Sequence, residues 1–467
     1  MDFSNLEYWL VAGAGIAGFL ATAAIARLAG LRTGNRIHKV FLVLIGFSAL
    51  GYASAETLAV FLSVCIAAYA AARIAAKSGR RESRIVTAIA VPVLFIPLAW
   101  FKYRNFAMSA FGFGNAVPIY AAIPVGISFY TFQAVGFVID SARGRGGIPS
   151  FLDFLCFESF APQIVAGPIE RGGALLPQMK AFKFRWRTVD VSWGLRYVVL
   201  GLFFKLCLGD NLALCHSPDP KGNVFALWLD NVVFGLRIYF DFCGYGLSAY
   251  GCARCLGVKL TQNFASPYSA ADITDFWRRW HKSLTNWFRD YVYFPLGGGR
   301  TKHWALNILA VFALSGLWHG ASWNFVLWGF ANGVALVIHK CFSRKLGLRM
   351  PRPVARLVTL AFVFYSWMLF DVTDLGQLAD CHRLLFDPAN YSKAAFLAFP
   401  GTFETHFVLS AFLLPLCAAV IFCERVCTRR KRNPYAMLLS LPALCAEIFL
   451  TFQLNSGIAN EFIYFAF

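Results

Sequence analysis

The stretch Phe276-Trp-Arg-Arg-Trp-His-Lys-Ser-Leu-Thr-Asn-Trp-Phe-Arg-Asp-Tyr-Val-Tyr-Phe-Pro-Leu-Gly-Gly-Gly-Arg-Thr-Lys-His-Trp-Ala-Leu-Asn-Ile-Leu-Ala-Val-Phe-Ala-Leu-Ser-Gly-Leu-Trp-His-Gly320 decides how this chain is read. It sets His281 and His319 among the most aromatic and apolar residues of the sequence. From Trp304 the apolar character runs on to Ile338, which as one helix would be about 52 Å long against a hydrocarbon core of roughly 30 Å. Such a run has to break. Gly316, Gly320, Ser322 and Asn324 mark the place, and His319 sits in it. Broken backbone at membrane depth is tolerated where it is buried in protein or lines a cavity. An ionisable group there points to function.

The same character extends along the chain. Of 467 residues, 58% are hydrophobic and only 14% charged, far fewer than in soluble domains. Apolar runs at Val40–Ala55, Thr57–Ala72 and Ile85–Phe101 repeat the pattern. The expectation is an all-α polytopic membrane protein, a single domain over residues 1–467, with roughly ten to twelve embedded helices, some re-entrant or interfacial. Tyr8–Ala26 reads as a retained first span, because it has no basic residues before it. Glu56 splits Val40–Ala72 into a helical hairpin. Ala121–Val138 reads as a span, and Phe151–Pro168, with Asp153, Glu158, Pro162 and Gln163, as a re-entrant element. Asp371–Phe399 reads as the longest polar connection.

The net charge of +19 lies in short connections, among them 73–84, 180–187 and 425–432. Such placement orients these loops to the cytoplasm and excludes a nucleic-acid-binding module. The thirteen cysteines are scattered through apolar runs and read as small buried hydrophobes rather than metal ligands.

Around His281, Trp277, Trp280, Leu284, Trp287, Phe288 and Tyr291 fall on one face of a helix that starts after Asp272 and ends before Pro295. The opposite face carries Arg278, Arg279, Lys282 and Arg289. This describes an interfacial helix with His281 turned inward. Its cations suit either membrane-lipid phosphates or an anionic cytosolic ligand. Between Val224 and Tyr250, Arg237 and Asp241 are spaced to pair on one helix; alternatively Tyr239 and Asp241 form a polar wall of a substrate tunnel. His319 has the properties of a general base acting on a hydroxyl that attacks a thioester. Ser315, Asn324 or a backbone N–H are candidates for stabilising the oxyanion. His38, His216, His303, His339, His382 and His406 read as solvated or interfacial.

These residues carry a resemblance. Ile123–Tyr130, Ile164–Ile169, Tyr239–Tyr245, Phe276–Gly298, Leu317–Gly320 and Phe462–Phe465 together resemble the motifs of the membrane-bound O-acyltransferase family, in the family's order. Within it the chain is most similar to the alginate O-acetyltransferase branch, with D-alanyl transferases more distant. One departure is Phe242-Cys243-Gly244 where the family usually has Phe-Ser-Gly. The resemblance implies His319 as the catalytic histidine and His281 as a second one. Beside them, Arg278, Arg279, Trp280, Trp318, Tyr239, Asp241, Ser315 and Asn324 are the candidate substrate-binding residues. The resemblance implies acetyl-CoA as donor, no bound cofactor or metal, and a tunnel through the bacterial inner membrane. It also implies an SGNH-type transferase partner outside that completes O-acetylation of an exported polysaccharide. The alternatives are another acyl or D-alanyl transferase, or a proton-coupled transporter.

Overall fold

The structure is a computed structural model and describes residues 35–112, 123–164, 167–184, 187–216, 222–345, 347, 350–402 and 407–454. The helices are α1 (Arg36–Ala53), α2 (Ala55–Lys77), α3 (Arg80–Leu98, continued through a π-turn to Ala110), α4 (Ile127–Ala142), α5 (Phe151–Glu158), α6 (Gly172–Ala181), α7 (Thr188–Leu202), α8 (Asp210–Cys215), α9 (Val224–Cys255), α10 (Ile273–Arg279), α11 (Lys282–Phe288), α12 (Trp304–His319), α13 (Trp323–Lys340), α14 (Arg352–Asp371), α15 (Leu375–Phe386), α16 (Phe407–Arg429) and α17 (Leu441–Leu454). Among the described residues there are no strands. Among the described residues seven helical stretches are long and apolar enough to cross a membrane, and α12 and α17 are shorter apolar helices. The chain is a multi-pass membrane protein. The expected first span, Tyr8–Ala26, and the terminal 462–465 motif lie outside the described residues.

The fold divides into two compact units, residues 1–198 with 248–261, and 199–247 with 262–467. In the first, α2 packs against α1, α3 and α4. The hairpin expected at Glu56 is present: Ser54 caps α2 by accepting from the Thr57 N–H at 2.9 Å, and Glu56 is exposed. The re-entrant reading of 151–168 meets a short helix α5 and a single turn, Ala161–Ile164, with Glu158 and Gln163 fully inside protein. Gln133 donates to the Phe157 carbonyl at 2.8 Å, and Gln163 bonds Gln133 in turn. Lys39 joins α1 to α5 through Asp153 at 2.6 Å.

In the second unit α12 and α13 form the expected broken pair. α12 ends at His319, Gly320–Ser322 are extended or bent, and α13 begins at Trp323. The two helices run against each other at Gly316 and Gly329, where a Cβ on Gly329 would stand 2.9 Å from the Phe312 carbonyl carbon and 3.2 Å from the Gly316 Cα. Backbones this close leave no room for a side chain. The connection after Asp371 departs from the expected loop. It folds into α15, whose Asp374 cap accepts from the Gln377 N–H at 2.7 Å, and into the short helix Lys393–Ala398. Leu378, Cys381 and Leu385, spaced three and four apart, give α15 a buried stripe that a polarity-based reading overlooks. All thirteen cysteines are free thiols.

Replacing Gly329 by Val is expected to overpack the α12–α13 crossing by about 1–3 kcal/mol. A lower melting temperature of the detergent-solubilised protein is the readout, and an unchanged one contradicts the close approach.

Candidate active site

The site starts from a backbone feature. The spacing around His281 predicted one continuous helix; the structure breaks it. α10 ends at Arg279, Trp280 is extended, and His281 adopts the left-handed conformation at φ 40° before α11 begins. For a residue with a Cβ this costs about 1–3 kcal/mol. The segment 263–265 supplies the compensation that the spacing could not reveal. Ala265 donates its N–H to the Arg279 carbonyl at 3.0 Å, and Lys282 donates to the Asn263 carbonyl at 2.9 Å. The Asn263 side chain accepts from the Ser283 N–H at 3.3 Å. The aromatic face is retained, but the two halves of the helix are swung apart at the histidine.

The break sends the His281 ring inward. It is 1% exposed, with its centroid 4.7 Å from the Phe242 ring and 5.8 Å from Trp318. His319, at the end of α12, is 4% exposed, and its ring lies 6.4 Å from that of His281. Trp318 (4.9 Å), Trp328 (5.2 Å) and Phe370 (5.3 Å) surround it. Two imidazoles from two broken helices therefore face one buried aromatic space. Burial drives the pKa of His281, which lies outside the spanning helices, down to about 3. It is neutral at physiological pH and keeps a lone pair for hydrogen bonding or proton transfer.

The other expected site residues divide. Asn324 stands at the start of α13, fully buried. Its Nδ2 donates to the Phe370 carbonyl at 3.0 Å, while its Oδ1 and the Trp328 Nε1 are buried without a hydrogen-bond partner among the described residues. Ser315 is half-buried on α12, one turn before His319. Trp280 is packed flat on Phe276 and against Trp367 at 4.8 Å, which makes it a wall of the aromatic cluster. Arg278 is exposed and lines a recess of about 340 Å³ with Asp272, Asp275, His339 and Lys340. Arg279 is engaged otherwise: its Nε bonds Asp275 at 2.7 Å and its Nη1 the Ala265 carbonyl at 3.2 Å.

Tyr239 and Asp241 are tied to other buried side chains. The Tyr239 hydroxyl donates to the buried Glu424 at 2.7 Å. The expected Arg237–Asp241 pair is replaced: Asp241 bonds Lys205 at 2.6 Å, and Lys205 also bonds Asp210 at 2.8 Å, all three nearly inaccessible. Helical spacing suggested the first pairing because it knows only neighbours on the same helix. The π-turn Phe203–Gly209 brings in a lysine from outside it, and the Lys205 ammonium also lies 5.6 Å from the Tyr245 ring centroid.

His216, which the sequence reads as solvated or interfacial, is enclosed by protein. Its side chain is 8% exposed, with Nδ1 2.9 Å from Asp230 and Nε2 3.1 Å from Asp371. Its partners lie on two other helices, far apart in sequence, so no local pattern could signal the cluster.

The core holds two helix breaks, the one at Gly320 expected from the sequence and the one at His281 not, and each places a histidine in the same buried aromatic surroundings. The profile of the MBOAT, membrane-bound O-acyltransferase family matches residues 94–375, and the chain belongs to that family. It is 32% identical over 318 residues to a peptidoglycan O-acetyltransferase of Helicobacter pylori, covering 60% of each chain. It is 31% identical to the probable alginate O-acetylase AlgI of Pseudomonas aeruginosa, covering 76% of this chain and 71% of that one. It is 30% identical to a teichoic acid D-alanyltransferase of Streptococcus thermophilus, over 47% of this chain and 58% of that one.

Removing the cation from the buried triad leaves two uncompensated carboxylates. Lys205→Met is expected to destabilise the protein by about 3–5 kcal/mol. Lys205→Met with Asp241→Asn should recover part of that loss in thermal melting; no recovery would show that Lys205 acts through packing alone.

Proposed function

We propose that the protein is a membrane O-acetyltransferase that takes an acetyl group from a cytosolic thioester, acetyl-CoA, and passes it to the outer side of the bacterial inner membrane for O-acetylation of an exported polysaccharide. The observation that carries this reading is the pairing of His281 and His319, both buried, in one aromatic space. Family membership supplies acyl transfer as the reaction class. The names of the relatives supply acetyl or D-alanyl groups on cell-surface polymers.

In this mechanism an imidazole nitrogen of His319 accepts the proton of an acceptor hydroxyl as its oxygen attacks the thioester carbonyl. The tetrahedral intermediate collapses with cleavage of the carbon–sulfur bond, and the thiolate leaves and takes up the proton from His319. A positioned base of this kind contributes roughly 10²–10⁴-fold. His281, neutral by burial, assists by hydrogen bonding to the reacting groups. Trp328 Nε1 is a buried donor left over beside His319 and is suited to the oxyanion, while Asn324 Oδ1 offers an acceptor for the incoming hydroxyl. Backbone groups at the Gly320 break remain a further source of donors. Arg278 and Lys340, at the rim of the recess with His339, suit the phosphates of a nucleotide thioester arriving from the basic, cytoplasmic side. An SGNH-type transferase on the other side would carry the acetyl group onward to the polymer.

His319→Ala is expected to reduce acetyl-CoA turnover by the purified protein by about 10²–10⁴-fold, with the melting temperature of the parent retained. Turnover at the parent rate would remove the catalytic role. Solute flux in proteoliposomes without acyl turnover would favour a transporter instead.

A further inference from the structure

His216 is buried in the second unit at the end of α8, and it meets two carboxylates from two other helices. Asp230 lies in the second turn of α9 and Asp371 is the last residue of α14. The side chains are 8%, 7% and 16% exposed. Both ring nitrogens have a carboxylate oxygen within hydrogen-bond reach, which is the pattern of an imidazolium donating twice. The ring centroid lies 5.2 Å from that of Phe234, the two planes tilted by 43°. All three residues sit at the helix ends remote from basic connections: α7 follows the 180–187 cluster, α9 ends at Arg254, and α14 starts at Arg352.

The cluster is one residue from the reaction space. Phe370 precedes Asp371, stands 5.3 Å from the His319 ring and 5.1 Å from Trp328, and gives its carbonyl to Asn324. Phe234, which carries the His216 ring, is 6.4 Å from Phe370. The end of α14 is thus fixed on one side by an ion pair and forms, on the other, a wall of the histidine pocket.

We propose that His216 is a positioning residue for the reaction at His319: paired with Asp230 and Asp371, it latches the end of α14 to α9 and holds Phe370 against the His319 ring. This rests on His319 as the catalytic base. Among the described residues, the titratable groups facing His216 are Asp230 from α9 and Asp371 from α14. Burial alone would lower its pKa; the hydrogen bonds and charges of the two aspartates outweigh burial and raise it to about 9. An unfolded histidine titrates near 6.5. The latch therefore contributes its full stabilisation below that value and loses it as the pH rises through about 9.

The test uses the full chain in detergent, with acetyl-CoA as the probe, from pH 6 to 10. His216→Gln keeps hydrogen bonding but not the charge. It is expected to lower kcat by tenfold to about 10²-fold, the scale of a misplaced catalytic group. The KM for acetyl-CoA should stay unchanged, and the alkaline limb near pH 9 should disappear. His216→Lys should restore most of kcat and carry the limb towards the lysine range. Parent kcat and limb in His216→Gln, or a low kcat with the limb still in place, overturns the proposal. So does finding stoichiometric zinc in the parent that the variant lacks, because the three side chains are close enough together to hold an ion instead of a proton. Melting curves separate this from failure of the catalytic reading. If His319→Ala is fully active, that reading falls. The latch still stands or falls on whether the parent, and not His216→Gln, loses stability between pH 8 and 10.

Discussion

Everything at the centre of this protein depends on one constraint: a peptide backbone interrupted inside a membrane protein has to find partners for the groups the interruption releases. At His281 the released carbonyl of Arg279 and N–H groups of Lys282 and Ser283 are taken up by residues 263–265. At Gly320 the chain turns within three residues, so that α13 resumes almost at once and lies along α12. Both solutions leave a histidine at the discontinuity. The interruptions and the histidines are the same feature seen from backbone and side chain.

The second constraint is charge. A buried ion is tolerated only with partners, and three basic side chains here draw at least one from another helix. Lys205 holds Asp210 and Asp241; His216 holds Asp230 and Asp371; Lys39 holds Asp153. Replacing such clusters by apolar side chains is often neutral for stability, so their energetic contribution alone does not account for them. What they add is a defined relation between helices that apolar packing in a lipid surrounding specifies weakly. Two of these clusters link elements of the unit that contains the paired histidines, and the His216 cluster ends one residue from the ring that borders His319.

The legibility of the sequence followed the range of the physics involved. Apolar runs, the Glu56 turn and the break between Gly316 and Asn324 were readable, because length against membrane thickness is a local calculation. His319 and His281 were readable for the same reason: each is an ionisable group in a local run that is otherwise aromatic or apolar. The helix expected through His281 was misjudged, since its periodicity is preserved on both sides of the break and the evidence for the break lies in Asn263 and Ala265. The Asp241 partner and the burial of His216 were misjudged because each depends on residues tens to more than a hundred positions away. Spacing rules carry no information about such contacts. Short helices such as α15 escaped because a 12-residue amphipathic stripe in a polar connection gives a weak signal next to spans of twenty apolar residues.

A histidine in an unbroken spanning helix would project from a rod whose backbone is closed to substrates on every side. Its ring could reach a cavity, but no free peptide group could accompany it. Ending the helix at the histidine changes that. At His319 the last turn of α12 leaves carbonyl groups, and the first turn of α13 leaves N–H groups, without intrahelical partners within a few residues of the same break. At His281 the left-handed residue turns the ring away from the axis of either flanking helix and into the aromatic space between Phe242 and Trp318. The strain of that conformation persists because the surrounding hydrogen bonds over-determine it. Two imidazoles and the polar ends of Asn324 and Trp328 are thereby brought into one buried aromatic surrounding. Low polarity around them strengthens each interaction with a developing charge. In the proposed mechanism the break is therefore the device by which an apolar helix bundle, otherwise chemically inert, acquires a reactive centre.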